Sequence, residues 1–129
     1  MDKTLLVIDN DEALVELESF YFSEQGYTVY TALDGDVGVK LALQHKPSAI
    51  VCDLIMGEMH GFEVLQRLRA NPDMKHTVVI MTSAKAYKPD IDRARELGAT
   101  DYVVKPFRTD ELLALIEWHL AASGRQEPS

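Results

Sequence analysis

The feature that most constrains this chain is a short apolar run, Ala49-Ile50-Val51-Cys52, that ends abruptly in Asp53 and is followed soon after by Gly57. A run with no polar alternation and several β-branched residues, too short for a core helix, reads as a strand covered on both faces. Such a strand needs neighbours on each side and a packed layer above and below. Thr4-Leu5-Leu6-Val7-Ile8 and Val78-Val79-Ile80-Met81 have the same character, and Tyr27-Thr28-Val29-Tyr30-Thr31 and Tyr102-Val103-Val104 add two more strand patterns.

Helical stretches separate these runs. The first is capped by Asn10 or Asp11, carries Leu14, Leu17 and Tyr21 inward with Glu16 and Glu18 off that stripe, and stops at Gln25-Gly26. Asp34-Gly35 leads into the second, which runs to about Lys46 with Val37 and Leu41 inward, and Pro47 closes it. The third turns Val64, Leu65 and Leu68 inward and Arg67 and Arg69 outward, and breaks at Asn71-Pro72-Asp73. Pro89 opens the fourth, which stops at Leu97-Gly98. Thr109 caps the fifth, whose stripe is Leu112, Leu115, Ile116 and Leu120. Strands alternating with helices in this way predict an α/β fold, a doubly wound five-stranded parallel sheet of order 2-1-3-4-5. Residues 1–122 are expected to form the domain, and residues 123–129 a polar tail or the start of a linker.

Charge and cysteine usage narrow the function. The net charge of −8 opposes direct contact with nucleic acid or an anionic membrane, and suits a cation or a basic protein partner. The single cysteine, Cys52, excludes an internal disulfide and points to a reducing, cytoplasmic setting; it reads as a small buried core residue. Met1-Asp2-Lys3 leads straight into a strand pattern, so no signal peptide is expected, and no apolar run is long enough to span a membrane.

In open parallel sheets, sites form outside the carboxyl ends of the strands where the strand order reverses, here between the first and third strands. Strand 1 ends in Asp9-Asn10-Asp11, strand 3 in Asp53, strand 4 in Thr82-Ser83 and strand 5 in Lys105. Each alone has a plain structural reading: a helix cap with dipole-matched acids, a strand-end acid, a turn, a loop. All four at carboxyl ends make a site the better reading. Clustered carboxylates repel, so protons or a cation must offset them. The donors are oxygens only, since His45, His60, His76 and His119 show no ligand spacing, and this favours Mg²⁺. A lysine and a hydroxyl beside an acid-bound ion suit a phosphoryl group, and an aspartate can act as its nucleophile. Asp53 is the natural nucleophile, as the acid at the end of the central strand. Met74 and Trp118 read as packing residues.

Four segments together, Val7-Ile8-Asp9-Asn10, Asp53-Leu54-Ile55-Met56, Ile80-Met81-Thr82-Ser83 and Gly98-Ala99-Thr100-Asp101-Tyr102-Val103-Val104-Lys105-Pro106-Phe107, resemble the receiver domain of two-component response regulators. The likeness is to chemotaxis-regulator-like, flavodoxin-like (βα)5 domains and runs from about Thr4 to Leu120. It implies a signalling domain, with at most slow self-phosphorylation and self-dephosphorylation, rather than an enzyme. Asp53 would take a phosphoryl group from a sensor histidine kinase or a phosphotransfer protein. Mg²⁺ would lie among Asp9, Asn10, Asp53 and the backbone carbonyl of Ile55. Lys105 would pair with the phosphoryl oxygens ahead of a cis bond to Pro106. Thr82 and the aromatic Tyr102 would be the switch, acting on the face made by the fourth helix, fifth strand and fifth helix. That face, or a missing C-terminal domain, would engage the effector, and dimerisation through it is a further expectation.

The departures from the family pattern also carry expectations. Asn10 stands where a second acid usually binds the metal, which should weaken Mg²⁺ binding. Gly57 replaces a common proline and His60 a common acid. Ile55 and Ala84 occupy the two positions that tune phosphoryl lifetime; neither can hold a water, so self-dephosphorylation should be slow. Two rivals remain at this point. One is a receiver-like interaction module not regulated by phosphorylation, which Asn10 favours. The other is a haloacid-dehalogenase-type phosphatase using Asp9, which Ala13 disfavours because a threonine or valine is usual there. A flavodoxin is disfavoured by the acidic loop after strand 1, which would repel a flavin phosphate.

Overall fold

The computed structural model describes residues 3–55 and 60–126. In chain order the elements are β1 (Thr4–Ile8), α1 (Glu12–Glu24), β2 (Thr28–Ala32), α2 (Gly35–His45), β3 (Ala49–Asp53), α3 (Gly61–Ala70), a 3₁₀ turn (Pro72–Met74), β4 (Val78–Ser83), α4 (Lys88–Glu96), β5 (Asp101–Val104) and α5 (Thr109–Gln126). All strands pair in parallel in the order β2-β1-β3-β4-β5, the expected doubly wound arrangement. The three central strands are buried almost throughout, as their unbroken apolar runs require.

The period-two alternation of the strands divides the core into two layers. Leu6, Ile8, Ile50, Cys52, Val79 and Met81 face α2, α3 and α4, where they meet Val39, Ala42, Val64, Leu65, Leu68 and Ala94. Leu5, Val7, Ala49, Val51, Val78 and Ile80 face α1 and α5, where they meet Val15, Phe22, Leu112 and Ile116. Cys52 is fully buried, and burial pushes its thiol far above the usual range, so it is an inert core residue.

The helix faces depart from the sequence reading in informative ways. On α1 the buried residues are Val15, Glu18 and Phe22, whereas Leu17 is 55% exposed and Leu14 and Tyr21 are only half-buried. The buried face is turned by about one residue from the Leu14, Leu17 and Tyr21 stripe, and Glu18 lies inside it. On α2, Val37 is 42% exposed, and the sheet is met instead by Gly38, Val39 and Ala42. A Cβ on Gly38 would fall within 3 Å of the Ile8 side chain, so the small residue lets this helix close on β1. On α3 the inward residues are as expected, but Arg69 folds back. Its guanidinium donates to the carbonyls of Met74, Lys75 and Gly98 and to the Thr100 hydroxyl, tying the end of α3 to the start of β5.

The helix ends follow local chemistry. Asp11 caps α1 by accepting from the Leu14 N–H, and Asp34 caps α2 in the same way from Val37. Gly26 and Gly98 take positive φ where helices end. Helix α4 begins at Lys88, one residue before Pro89. Thr109 is the first residue of α5 rather than its cap, because the Leu112 N–H closes the first turn on the Arg108 carbonyl. That helix runs on to Gln126, past the expected boundary at residue 122, and residues 127–129 of the expected tail lie outside the described residues. Met74 packs in the core as expected, whereas Trp118 is 61% exposed and packs little. No helix among the described residues is long and apolar enough to cross a membrane.

Candidate phosphoacceptor site

The site is a consequence of strand register. The last β1–β3 pair is Ile8 with Cys52, so Asp9 and Asp53 follow it side by side. On the next strand Thr82 is the direct partner of Asp53. Alternation puts all three on the α1/α5 side of the sheet, one layer beyond Val7, Val51 and Ile80. Asp9, Asp53 and Thr82 are 3%, 7% and 1% exposed.

Lys105 reaches this layer from the loop after β5. Its Nζ lies 2.7 Å from Asp9 Oδ2 and 3.3 Å from Asp53 Oδ1. One ammonium is thus shared by two buried carboxylates. The other Asp9 oxygen accepts from the Asp11 N–H at 2.9 Å. Burial pushes the Asp53 carboxyl above the usual carboxylate range and the Asp9 charge pushes it further, with Lys105 acting in the opposite direction. For Lys105, burial favours the neutral amine, but its bonds to Asp9 and Asp53 outweigh that and hold the ammonium above its ordinary value. The Lys105–Pro106 bond is cis, as the resemblance implied.

The backbone around Asp53 is tightly fixed. The Leu54 N–H donates to the Thr82 carbonyl, and the Gly61 N–H donates to the Leu54 carbonyl, both at 2.8 Å. A Cβ on Gly61 would lie 2.5 Å from the Asp53 carbonyl oxygen and 2.7 Å from the Leu54 Cα. Glycine at the start of α3 therefore lets that helix approach the end of β3. His60, which precedes it, is exposed and gives no side-chain cap to α3. Gly57 lies outside the described residues.

Of the other residues singled out from sequence, Asn10, Ile55 and Ala84 are exposed at the mouth of this layer. Tyr102 lies on the opposite, α4 side of the sheet, where its hydroxyl donates to the Lys85 carbonyl at 3.0 Å. The aromatic ring and the loop after Thr82 are thereby linked. A cavity of about 290 Å³ opens beside Lys105, lined by Leu14, Ala84, Pro106 and Phe107 as well. His119 pairs with Asp101 at 2.8 Å, and His45 stacks on Tyr30 with ring centroids 3.9 Å apart, so both are structural partners.

The sequence reading missed one acid of this region. Glu18 is 1% exposed on the sheet-facing side of α1. The signal was its spacing with Val15 and Phe22, which places an acid on an apolar stripe.

The response regulator receiver domain model matches residues 5–117. The chain belongs to this family. Receiver domains of this family are the phosphoacceptor domains of two-component systems. The chain is 36% identical, over all of its own 129 residues and 53% of the relative, to the alkaline phosphatase synthesis transcriptional regulatory protein PhoP of Bacillus subtilis. It is 36% identical over 121 residues, 94% of this chain and 50% of the relative, to the DNA-binding dual master transcriptional regulator RpaA of Synechocystis. The chain thus spans about half the length of these curated relatives. Among solved structures, the chemotaxis protein CheY4 of Vibrio cholerae matches with a TM-score of 0.87 at 26% identity, covering 92% of this chain and 98% of that one. A receiver domain from Methanospirillum hungatei has the same fold, with a TM-score of 0.92 over 98% of this chain and 100% of that one at 21% identity.

Removing the shared ammonium should unbalance both carboxylates. In Lys105→Met, the Asp53 carboxyl is expected to titrate at a higher pH than in the wild type, because the one opposing charge is gone. Carboxyl ¹³C NMR across a pH series measures this; an unmoved Asp53 titration would contradict the shared pair.

Proposed function

We propose that Asp53 is the phosphoacceptor of this receiver and that a sensor histidine kinase or phosphotransfer protein supplies the phosphoryl group. The observation that carries this reading is the placement of a buried carboxylate at the end of the central strand, 3.3 Å from a lysine ammonium and paired in register with a buried threonine. An Asp53 oxygen attacks phosphorus, the nitrogen–phosphorus bond of the donor phosphohistidine breaks, and the imidazole leaves with the bonding pair. Lys105 orients Asp53 beforehand and offsets the added phosphoryl charge afterwards. Thr82 supplies a hydroxyl to the new oxygens, and the bond from Tyr102 to the Lys85 carbonyl supports a role in carrying that change to α4, β5 and α5.

The donor set fits Mg²⁺. Two buried carboxylates share one ammonium, and the burial and neighbouring Asp9 charge that together raise Asp53 are what a hard dication offsets. Among the described residues no three His, Cys, Asp or Glu side chains come together, so the remaining donors are the Asn10 amide, the Ile55 carbonyl and solvent. Bound there, Mg²⁺ supplies charge neutralisation for the phosphoryl oxygens. The setting is cytoplasmic. The output is an effector protein or a C-terminal domain of the kind that the two longer regulators imply, with dimerisation through α4, β5 and α5. An interaction module that takes no phosphoryl group is the second reading, favoured by the neutral Asn10.

Three measurements test these assignments. Acetyl phosphate with Mg²⁺ should label the wild type and leave Asp53→Asn unlabelled by phosphate-affinity electrophoresis; labelling that persists in Asp53→Asn, or is lost in Asp9→Asn with metal binding intact, assigns the chemistry elsewhere. Asn10→Asp should tighten Mg²⁺ about tenfold or more, since one added carboxylate beside a dication contributes on the order of 1–3 kcal/mol, and an unchanged fluorescence titration would oppose the ligand assignment. Ile55→Asn with Ala84→Glu should speed decay of the phosphorylated form at least tenfold; an identical half-life would remove these positions from control of lifetime.

A further inference from the structure

Glu18 lies at the centre of the face that α1 turns to the sheet. It is 1% exposed, and among the described residues its Oε1 has no hydrogen-bond partner. The residues one turn away on the same face are Val15 and Phe22, both in the apolar layer with Leu5, Val7, Val51, Ile80, Leu112 and Ile116. No salt bridge reaches it among the described residues. An ionised carboxylate cannot be accommodated in such a place without a cation or several donors, so it takes up a proton instead.

The charges near it reinforce this. The residue just past β1 contributes the Asp9 carboxylate, the N-cap of α1 contributes Asp11, and the loop after β5 contributes Lys105, the last already engaged by Asp9 and Asp53. The neighbours in the buried layer are apolar, with Val7 on β1, Val29 on β2, and Leu112 and Ile116 on α5, while the charged Arg108 and Asp110 at the start of α5 lie beside Leu17 and Tyr21 on the adjoining face of α1. We propose that α1 is a proton-operated element: it lies fully on the sheet only while Glu18 is protonated, and loss of that proton loosens the helix whose N-cap, Asp11, is hydrogen-bonded to Asp9 of the site. The inference does not depend on which aspartate accepts the phosphoryl group.

Burial first, then Asp9 and Asp11, push the Glu18 carboxyl up from 4.5 to about 8, with Lys105 opposing. The folded state therefore holds this proton more tightly than the unfolded chain. The favourable contribution is complete below 4.5 and is lost as pH rises towards about 8. Glu18→Gln keeps the shape and has no proton to lose. The ratio of unfolding constants, wild type over Glu18→Gln, should rise about tenfold per pH unit within that window and level off above it. Urea unfolding of the full chain from pH 5 to pH 9 reads this ratio. Amide hydrogen exchange localises the effect: above pH 8, the amides of Val15 to Phe22 should lose protection in the wild type and keep it in Glu18→Gln. Carboxyl ¹³C NMR on the wild type requires no substitution and should show Glu18 protonated at pH 6. Parallel stability profiles for the two chains, or a Glu18 resonance already at the carboxylate position at pH 6, would overturn the proposal. Should Glu18→Gln not fold, Glu18→Leu serves as the proton-free reference.

Discussion

Two buried carboxylates held by one ammonium are the interaction on which the rest of this site depends. Asp9 and Asp53 sit side by side because β1 and β3 pair in parallel and each ends one step beyond its last apolar residue. Neither would be tolerated as a bare charge at that depth. Lys105 makes the pair possible, and it arrives from a part of the chain some fifty residues further on. The balance is deliberately incomplete: three ionisable groups carry a net negative charge, so the site is ready to receive more positive charge or to change state when its charge changes. That readiness is the physical content of a phosphoacceptor domain.

The sheet gives the site its rigidity. Strands buried on both faces cannot shift register without moving every side chain to the wrong layer. Asp53 is further fixed by its neighbour Leu54, whose N–H donates to the Thr82 carbonyl and whose carbonyl accepts from the Gly61 N–H. The solvent-accessible parts lie at the rim. They are the exposed positions at Asn10, Ile55 and Ala84, and the Tyr102 hydroxyl resting on the loop after β4. The acid pair thus sits on a fixed sheet, with exposed residues only around its mouth.

Much of this was legible in sequence because it rests on local signals. Unbroken apolar runs such as Val78-Val79-Ile80-Met81 require two-faced burial, and their alternation with capped helices leaves the doubly wound sheet as the solution. Acids, hydroxyls and a lysine at the strand ends then converge by topology alone. The helix faces were less legible. Leu17 and Val37 are apolar yet 55% and 42% exposed, while Glu18 is charged yet 1% exposed. Hydropathy assigns each residue by its own chemistry, but a helix is oriented by the sum of its contacts. Phe22 and Val15 fix the rotation of α1, and Glu18 is carried inward with them. Arg69 likewise escapes hydropathy, since its acceptors are carbonyls of Met74, Lys75 and Gly98 that no sequence pattern announces.

Element order, the parallel sheet and the set of strand-end residues able to form a site are all encoded locally, because strand and helix periodicities and caps are properties of short stretches. Packing alone settles which charges share a partner and which buried acid keeps an oxygen without one among the described residues. Those outcomes depend on distances between residues far apart in the chain: 2.7 Å from Lys105 to Asp9, 3.3 Å to Asp53, and no partner among the described residues for an oxygen of Glu18. The energy of a buried charge depends on what surrounds it, and the surroundings exist only once the sheet and its helices have closed around it.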